Sequence, residues 1–133
     1  MKKDIQWVGT LLIAIVCWIA FSSVSYAANW DYVCSGNDGT KYYLDISSVE
    51  KDGEYLRFWR KGVNAESQDG EKEFHSYHEV HLAKPLETRM LQIVSYDDNG
   101  NVIRNYSNPS EWQGLRSGSI LYSIANAAMH YVQ

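Results

Sequence analysis

The sequence predicts an α+β domain: an antiparallel sheet of about six strands, one C-terminal helix packed on one face, and a signal peptide in front. Three observations point there. Segments of alternating polar and apolar residues recur along the chain, which is the period of a half-buried strand. Turn residues separate them, with Asp98-Asn99-Gly100-Asn101 as the strongest hairpin signal because Asn-Gly tolerates positive φ. Only the last segment changes to the 3.6-residue period of a helix.

The N-terminus reads as an export label. Lys2 and Lys3 give a positive start, and no charge follows from Ile5 to Asn29, with the most apolar stretch at Leu11 to Phe21. Ser25-Tyr26-Ala27 then places small residues at −3 and −1 of a cleavage site, the layout of a secretory signal peptide. The apolar core is short for a membrane span of ~20 residues. Cleavage after Ala27 divides the chain into a signal peptide, 1–27, and a single domain, 28–133. Removing 27 of 133 residues leaves 106 and takes the formal charge from −4 to −5, since Lys2, Lys3 and Asp4 depart. Cys17 departs too. Cys34 is then the sole cysteine of the mature chain and is expected as a small buried side chain, with no Lys, Arg or His adjacent to activate it.

Composition excludes several classes. An acidic balance does not suit a nucleic-acid binder, which needs a basic face. Two Cys and four His exclude a zinc ribbon or a disulfide scaffold. With 14% aromatic residues and 2 Pro the chain can build a core.

The elements follow in order. Trp30 to Cys34 is a short aromatic strand. Gly36-Asn37-Asp38-Gly39 turns the chain into Lys41 to Ile46, rich in strand formers. Lys51-Asp52-Gly53-Glu54 reads as a hairpin turn before Tyr55 to Lys61, where Leu56 and Phe58 share a face opposite Tyr55, Arg57 and Trp59. Gly62 to Glu71 is polar and is expected as a mobile loop. Lys72 to Leu82 alternates again, His75, Tyr77, Glu79 and His81 opposing Phe74, Ser76, His78, Val80 and Leu82, until Pro85 stops it. Arg89 to Asp97 and Val102 to Tyr106 pair through the Asn-Gly hairpin. A helix from about Ser119 to Tyr131 closes the chain, capped by Ser117 or Ser119. Its apolar stripe, Ile120, Ile124, Ala127, Ala128 and Tyr131, is widened by Leu121, Ala125, Met129 and Val132. So wide an arc is buried by the sheet plus a loop, or by the sheet plus a second subunit in a homodimer.

Chemistry-bearing patterns are sparse. His75, His78 and His81 with Glu79 are the most suggestive, yet His75 and His81 lie six residues apart, about 20 Å along a strand and too far for one zinc ion. They are expected on a solvated face. Ser48-Val49-Glu50-Lys51 has a Ser-x-x-Lys spacing without its companion motifs and reads as a turn. Asp97 and Asp98 sit where turn chemistry wants Asp. Asn105-Tyr106-Ser107 is a glycosylation sequon. No catalytic, cofactor-binding or metal site is assigned, and no cofactor is implied. Exposed aromatics are the remaining clue: Tyr42 or Tyr43, Tyr55, Trp59, Tyr77 and Tyr106 exceed what so small a core can enclose, and such residues favour protein contacts.

In order, Trp30, Tyr42-Tyr43-Leu44-Asp45 with Ser48-Val49, Phe58-Trp59, Tyr96-Asp97 with Gly100-Asn101-Val102, Trp112 and the Ser117-Gly118-Ser119 helix entry resemble the bacterial surface-adhesin protein E family across essentially the whole mature chain. The resemblance implies an antiparallel sheet with a C-terminal helix, and an outer-surface protein that binds host matrix or serum proteins and can dimerise. Two departures stand out. Members often carry paired mature cysteines, one near the end of the terminal helix, whereas this chain ends His130-Tyr131-Val132-Gln133. The lipid-attachment cysteine of an anchored adhesin is also missing. The expected role is therefore an exported, non-enzymatic binding domain at the cell surface, the alternative being a soluble periplasmic or secreted envelope protein with a bacterial partner or self-association. Mass spectrometry of the exported protein is expected to find Ala28 as the first residue; a retained Met1 contradicts the signal peptide.

Overall fold

The computed structural model describes residues 27–132, so the signal peptide and Cys17 lie outside the described residues. Eight strands form one antiparallel sheet: β1 (Trp30–Ser35), β2 (Lys41–Asp45), β3 (Glu50–Asp52), β4 (Tyr55–Gln68), β5 (Glu71–His81), β6 (Glu87–Tyr96), β7 (Val102–Tyr106) and β8 (Gln113–Gly114). Among the described residues one α-helix, α1 (Ile120–Met129), follows. The sheet order is β1-β2-β4-β5-β6-β7, with β3 on β4 and β8 on β6. The two strands beyond the six expected are the short ones, β3 and β8. They extend the rows of β2 and β7, where those strands have already ended.

The polar segment Gly62 to Glu71 corrects the sequence reading, because it is not a loop. β4 runs through it to Gln68, and β5 starts again at Glu71. The turn is Asp69-Gly70, both at positive φ (51° and 83°), as a two-residue hairpin connection requires. The extension is polar because its residues from Ala65 onward are exposed; main-chain pairing, not burial, makes it a strand. Gly62 has a different task. A Cβ there would lie 2.3 Å from Cζ of Phe74, so the ring packs directly on the backbone.

The core lies on one side of the sheet. Leu44, Leu56, Phe58 and Val80 meet Ile124, Ala125 and Ala128 of α1, all buried. Ser119 caps the helix, its Oγ accepting the Tyr122 N–H at 3.2 Å. Val49 and Leu115 pack against the same cluster, so loop residues cover flanks of the wide apolar arc. Tyr131 departs from the expected stripe. The helix ends at Met129, which turns the Tyr131 ring outward to 48% exposure, with its hydroxyl 3.5 Å from Asp31.

Helix α1 packs over β1, β2 and β4. The β5 and β6 residues on that side are polar where it does not reach: Ser76, His78, Thr88 and Ser95 are all buried. A bulge at Leu91, between the pairs Tyr77–Gln92 and His78–Met90, shifts the facing of β6 partway along.

Ile124 is fully buried against the sheet. Ile124→Asp is expected to cost roughly 3–5 kcal/mol, from the lost apolar burial plus an unpaired buried carboxylate. Urea denaturation measures it, with Asn126→Asp on the exposed side as the control; wild-type stability in Ile124→Asp contradicts this packing.

Candidate binding face

Among the described residues no helix packs on the other side of the sheet. Strand alternation places on it Tyr43, Tyr55, Arg57, Trp59, Lys61, His75, Tyr77, Glu79 and Tyr96, with Trp30 from β1 and Trp112 from the segment before β8. These side chains form three groups.

At one end, Trp30, His75 and Tyr96 pack in series, with ring centroids 5.0 and 4.8 Å apart. The Lys61 ammonium lies over this end, 4.9 Å from the Trp30 ring and 4.7 Å from Tyr43, a cation–π arrangement. Trp59 stacks on Tyr77 at 5.1 Å. A shallow depression of about 230 Å³ opens between Trp30, Trp59, His75 and Tyr96, floored by Val94. Asp45 closes its edge. That carboxylate accepts the N–H of Asn29 at 2.9 Å and of Ser47 at 3.1 Å, so the Tyr42-Tyr43-Leu44-Asp45 block fixes where the chain enters β1.

In the middle, Glu79 sits buried between two arginines. Its Oε2 accepts from Arg57 Nε at 2.7 Å and its Oε1 from Arg89 Nε at 2.8 Å. Burial alone would raise the Glu79 pKa; the hydrogen bonds from Arg57 and Arg89 and their charges outweigh it and hold the pKa below the usual value. Arg57 also lies 3.7 Å from both Glu50 and Asp52.

At the far end, Tyr55 stacks on His81 at 4.8 Å and Trp112 leans on both. The Arg89 guanidinium lies 4.6 Å from the Trp112 ring, joining this group to the middle one.

The histidine cluster is divided by the register. His75 and His81 face the open side and each binds a neighbouring carboxylate, Glu73 at 2.6 Å and Glu54 at 3.0 Å. His78 points to the opposite, helix side. The expectation of a solvated face is corrected for two residues: His78 and Glu79 are both buried, at 4% exposure. Among the described residues no group of three or more potential ligands converges on a metal position. Ser48 has two structural duties, its hydroxyl donating to the Asp45 carbonyl and accepting the Trp59 N–H, both at 2.8 Å, while Lys51 is exposed in β3. Asp97 accepts the N–H groups of Asn101 and Asn99 within the hairpin, which lowers its pKa. Cys34 is half-buried in β1, and burial pushes its thiol pKa up.

Of the aromatics singled out in the sequence, Tyr43, Tyr55, Trp59 and Tyr77 belong to this face. Tyr42 lies on the helix side, edge-on to Phe74, and Tyr106 is 53% exposed on β7. Trp30, Tyr96 and Trp112 enter the face without having been singled out for contact. Trp30 and Tyr96 could have been placed by strand parity, but Trp112 lies outside any alternating run and only the tertiary path brings it there.

The chemistry on offer is contact: planar rings, cations poised over them and a fixed ion-pair network. Glu79→Ala is expected to destabilise the protein by about 2–3 kcal/mol, below the 3–5 kcal/mol for fully buried pairs because both arginines are partly exposed. Thermal or urea unfolding measures it, and an unchanged stability would remove Glu79 as the organiser of this face.

No curated protein and no solved structure matches the chain. The family model described as surface-adhesin protein E matches residues 30–128, from the first tryptophan of β1 to the last buried alanine of α1. The match spans the sheet, its open aromatic face and the helix that closes the other side, and the chain belongs to the surface-adhesin protein E family.

Proposed function

We propose that the chain is an exported, non-enzymatic binding domain whose open sheet face contacts a protein partner, a host matrix or serum protein. Family membership supports an adhesin-like binding role. The observation that carries the reading is the surface itself: Trp30, Trp59, Tyr77 and Tyr96 are rigid, half-buried rings with Lys61 and Arg89 over aromatic neighbours. Tyr, Trp and Arg are the residues that dominate protein-interface energetics, since they bury large area at small entropic cost. Arg57, Glu79 and Arg89 of this face are tied into an ion-pair network and His75 and His81 each bind a carboxylate, which suits a fixed contact surface. Pairing of two copies through α1, the other partner its wide apolar arc suggests, would leave this face free in both.

One observation favours the second reading, a soluble periplasmic or secreted envelope protein with a bacterial partner. Cys34, the sole cysteine among the described residues, is held in β1 opposite Tyr42 and is not placed as a lipid anchor. No helix among the described residues is long and apolar enough to cross a membrane. Labelling of intact cells against release with the periplasmic fraction separates the two locations.

Binding of the purified protein to immobilised matrix and serum proteins is expected to fall tenfold or more in a Trp30→Ala/Trp59→Ala variant, the order of loss for interface anchors. Tyr131→Ala, on the helix side, is expected to leave it unchanged. Equal binding by both variants, at matched thermal stability, would refute the open face as the contact surface.

A further inference from the structure

On the helix side, a cavity of about 310 Å³ lies along the flank of α1 that does not reach β5 and β6. That is the small end of ligand-binding cavities, which run from about 300 Å³. Arg60, His78, Met90, Ser110, Gln113 and Leu121 are among its walls.

Arg60 is a largely buried cation without a carboxylate partner among the described residues. Its Nε donates to Ser76 Oγ at 3.2 Å, and its guanidinium lies 5.4 Å from the Tyr42 ring and 5.8 Å from Phe74. Its terminal nitrogens have no protein acceptor among the described residues. Arginines removed from water are normally paired with an anion, because five donors and a fixed charge need one.

The polar groups beside Arg60 do not supply that anion. Ser76 Oγ lies 2.8 Å from His78 Nε2, and His78 Nδ1 is buried with no partner. The Ser76 hydroxyl accepts from Arg60 Nε and shares a second hydrogen bond with His78 Nε2, so it is committed within the protein and brings no negative charge to Arg60. Burial, and then the nearby Arg60 charge, hold the His78 pKa down at about 3, so the ring is neutral at physiological pH. Ser110 has no spare proton, since its hydroxyl donates to the Glu111 carbonyl. The polar wall thus carries the unpaired Arg60 charge, the neighbouring Arg89 being tied to Glu79, while Met90 and Leu121 provide an apolar wall.

We propose that this cavity binds a small organic monocarboxylate, its carboxylate held by the Arg60 guanidinium and its aliphatic part against Met90 and Leu121. The site is separate from the open aromatic face, on the opposite side of the sheet, and does not depend on that face's partner.

Nuclear magnetic resonance titration of the exported protein tests it, with sodium butyrate as the probe, butyramide as its uncharged isostere and inorganic phosphate as an anion without a tail. Butyrate is expected to shift the Arg60 Nε–H and His78 ring signals saturably, with Kd below about 1 mM, and butyramide to bind at least tenfold more weakly. Arg60→Met is expected to weaken butyrate tenfold or more. Should Arg60→Met fail to fold, Leu121→Phe, which keeps the charge and fills the apolar wall, is expected to weaken butyrate with the near-ultraviolet circular dichroism retained. Absence of saturation, an equal response to butyramide, phosphate binding as tightly as butyrate, or undiminished butyrate binding in the folded variants would each overturn the assignment.

Discussion

Everything in this domain depends on the burial of α1 against one face of the sheet and not the other. Leu44, Leu56, Phe58 and Val80 pack against the Ile124, Ala125 and Ala128 side of the helix, with Val49 and Leu115 beside it. Each large side chain so enclosed contributes about 1.5–3 kcal/mol. Because residues in a strand alternate in facing, committing Leu56 and Phe58 to the helix commits Tyr55, Arg57 and Trp59 to the opposite side. The open face is thus the necessary complement of the core, and the residues there are free to serve contact.

That open face is not left as loose aromatic surface. Glu79 joins Arg57 and Arg89, Arg89 lies on Trp112, and Trp112 leans on Tyr55 and His81. Each ring is thereby held by a neighbour before any partner arrives. A pre-ordered ring loses less conformational freedom on binding than a mobile one, which is why rigid aromatic anchors make efficient contact surfaces. The helix side shows the converse. With ten residues, α1 is about 15 Å long, whereas the fourteen residues of β4 extend about 46 Å. The helix closes only part of its face, and the strand residues beyond it, Arg60, Ser76, His78 and Thr88, are polar.

The elements with strong periodicity were readable in the residues. Phe58 and Leu56 facing inward, the Asp97 to Asn101 hairpin and the Ser119 cap all follow from local patterns, and the structure has them. The Gly62 to Glu71 segment reads as a loop because it is polar; alternation is a signal of burial, and from Ala65 onward β4 is exposed on both faces. The Asp69-Gly70 turn inside it was the clue that polarity hid. Tyr131 was assigned to the helix stripe because periodicity does not say where a helix stops. On the open face, Tyr55, Trp59 and Tyr77 were legible as excess aromatics, whereas Trp112 was not.

By itself the sequence determined the α+β class, the single terminal helix, the sidedness of each strand and the likeness to the protein E family, because those depend on local periods, turns and ordered motifs. The tertiary structure decided which neighbours each side chain meets. Cross-strand register separates His78 from His75 and His81, buries Glu79 between arginines drawn from β4 and β6, and brings Trp112 beside Tyr55. Register and helix placement are fixed by contacts between residues distant along the chain, and no local pattern encodes those.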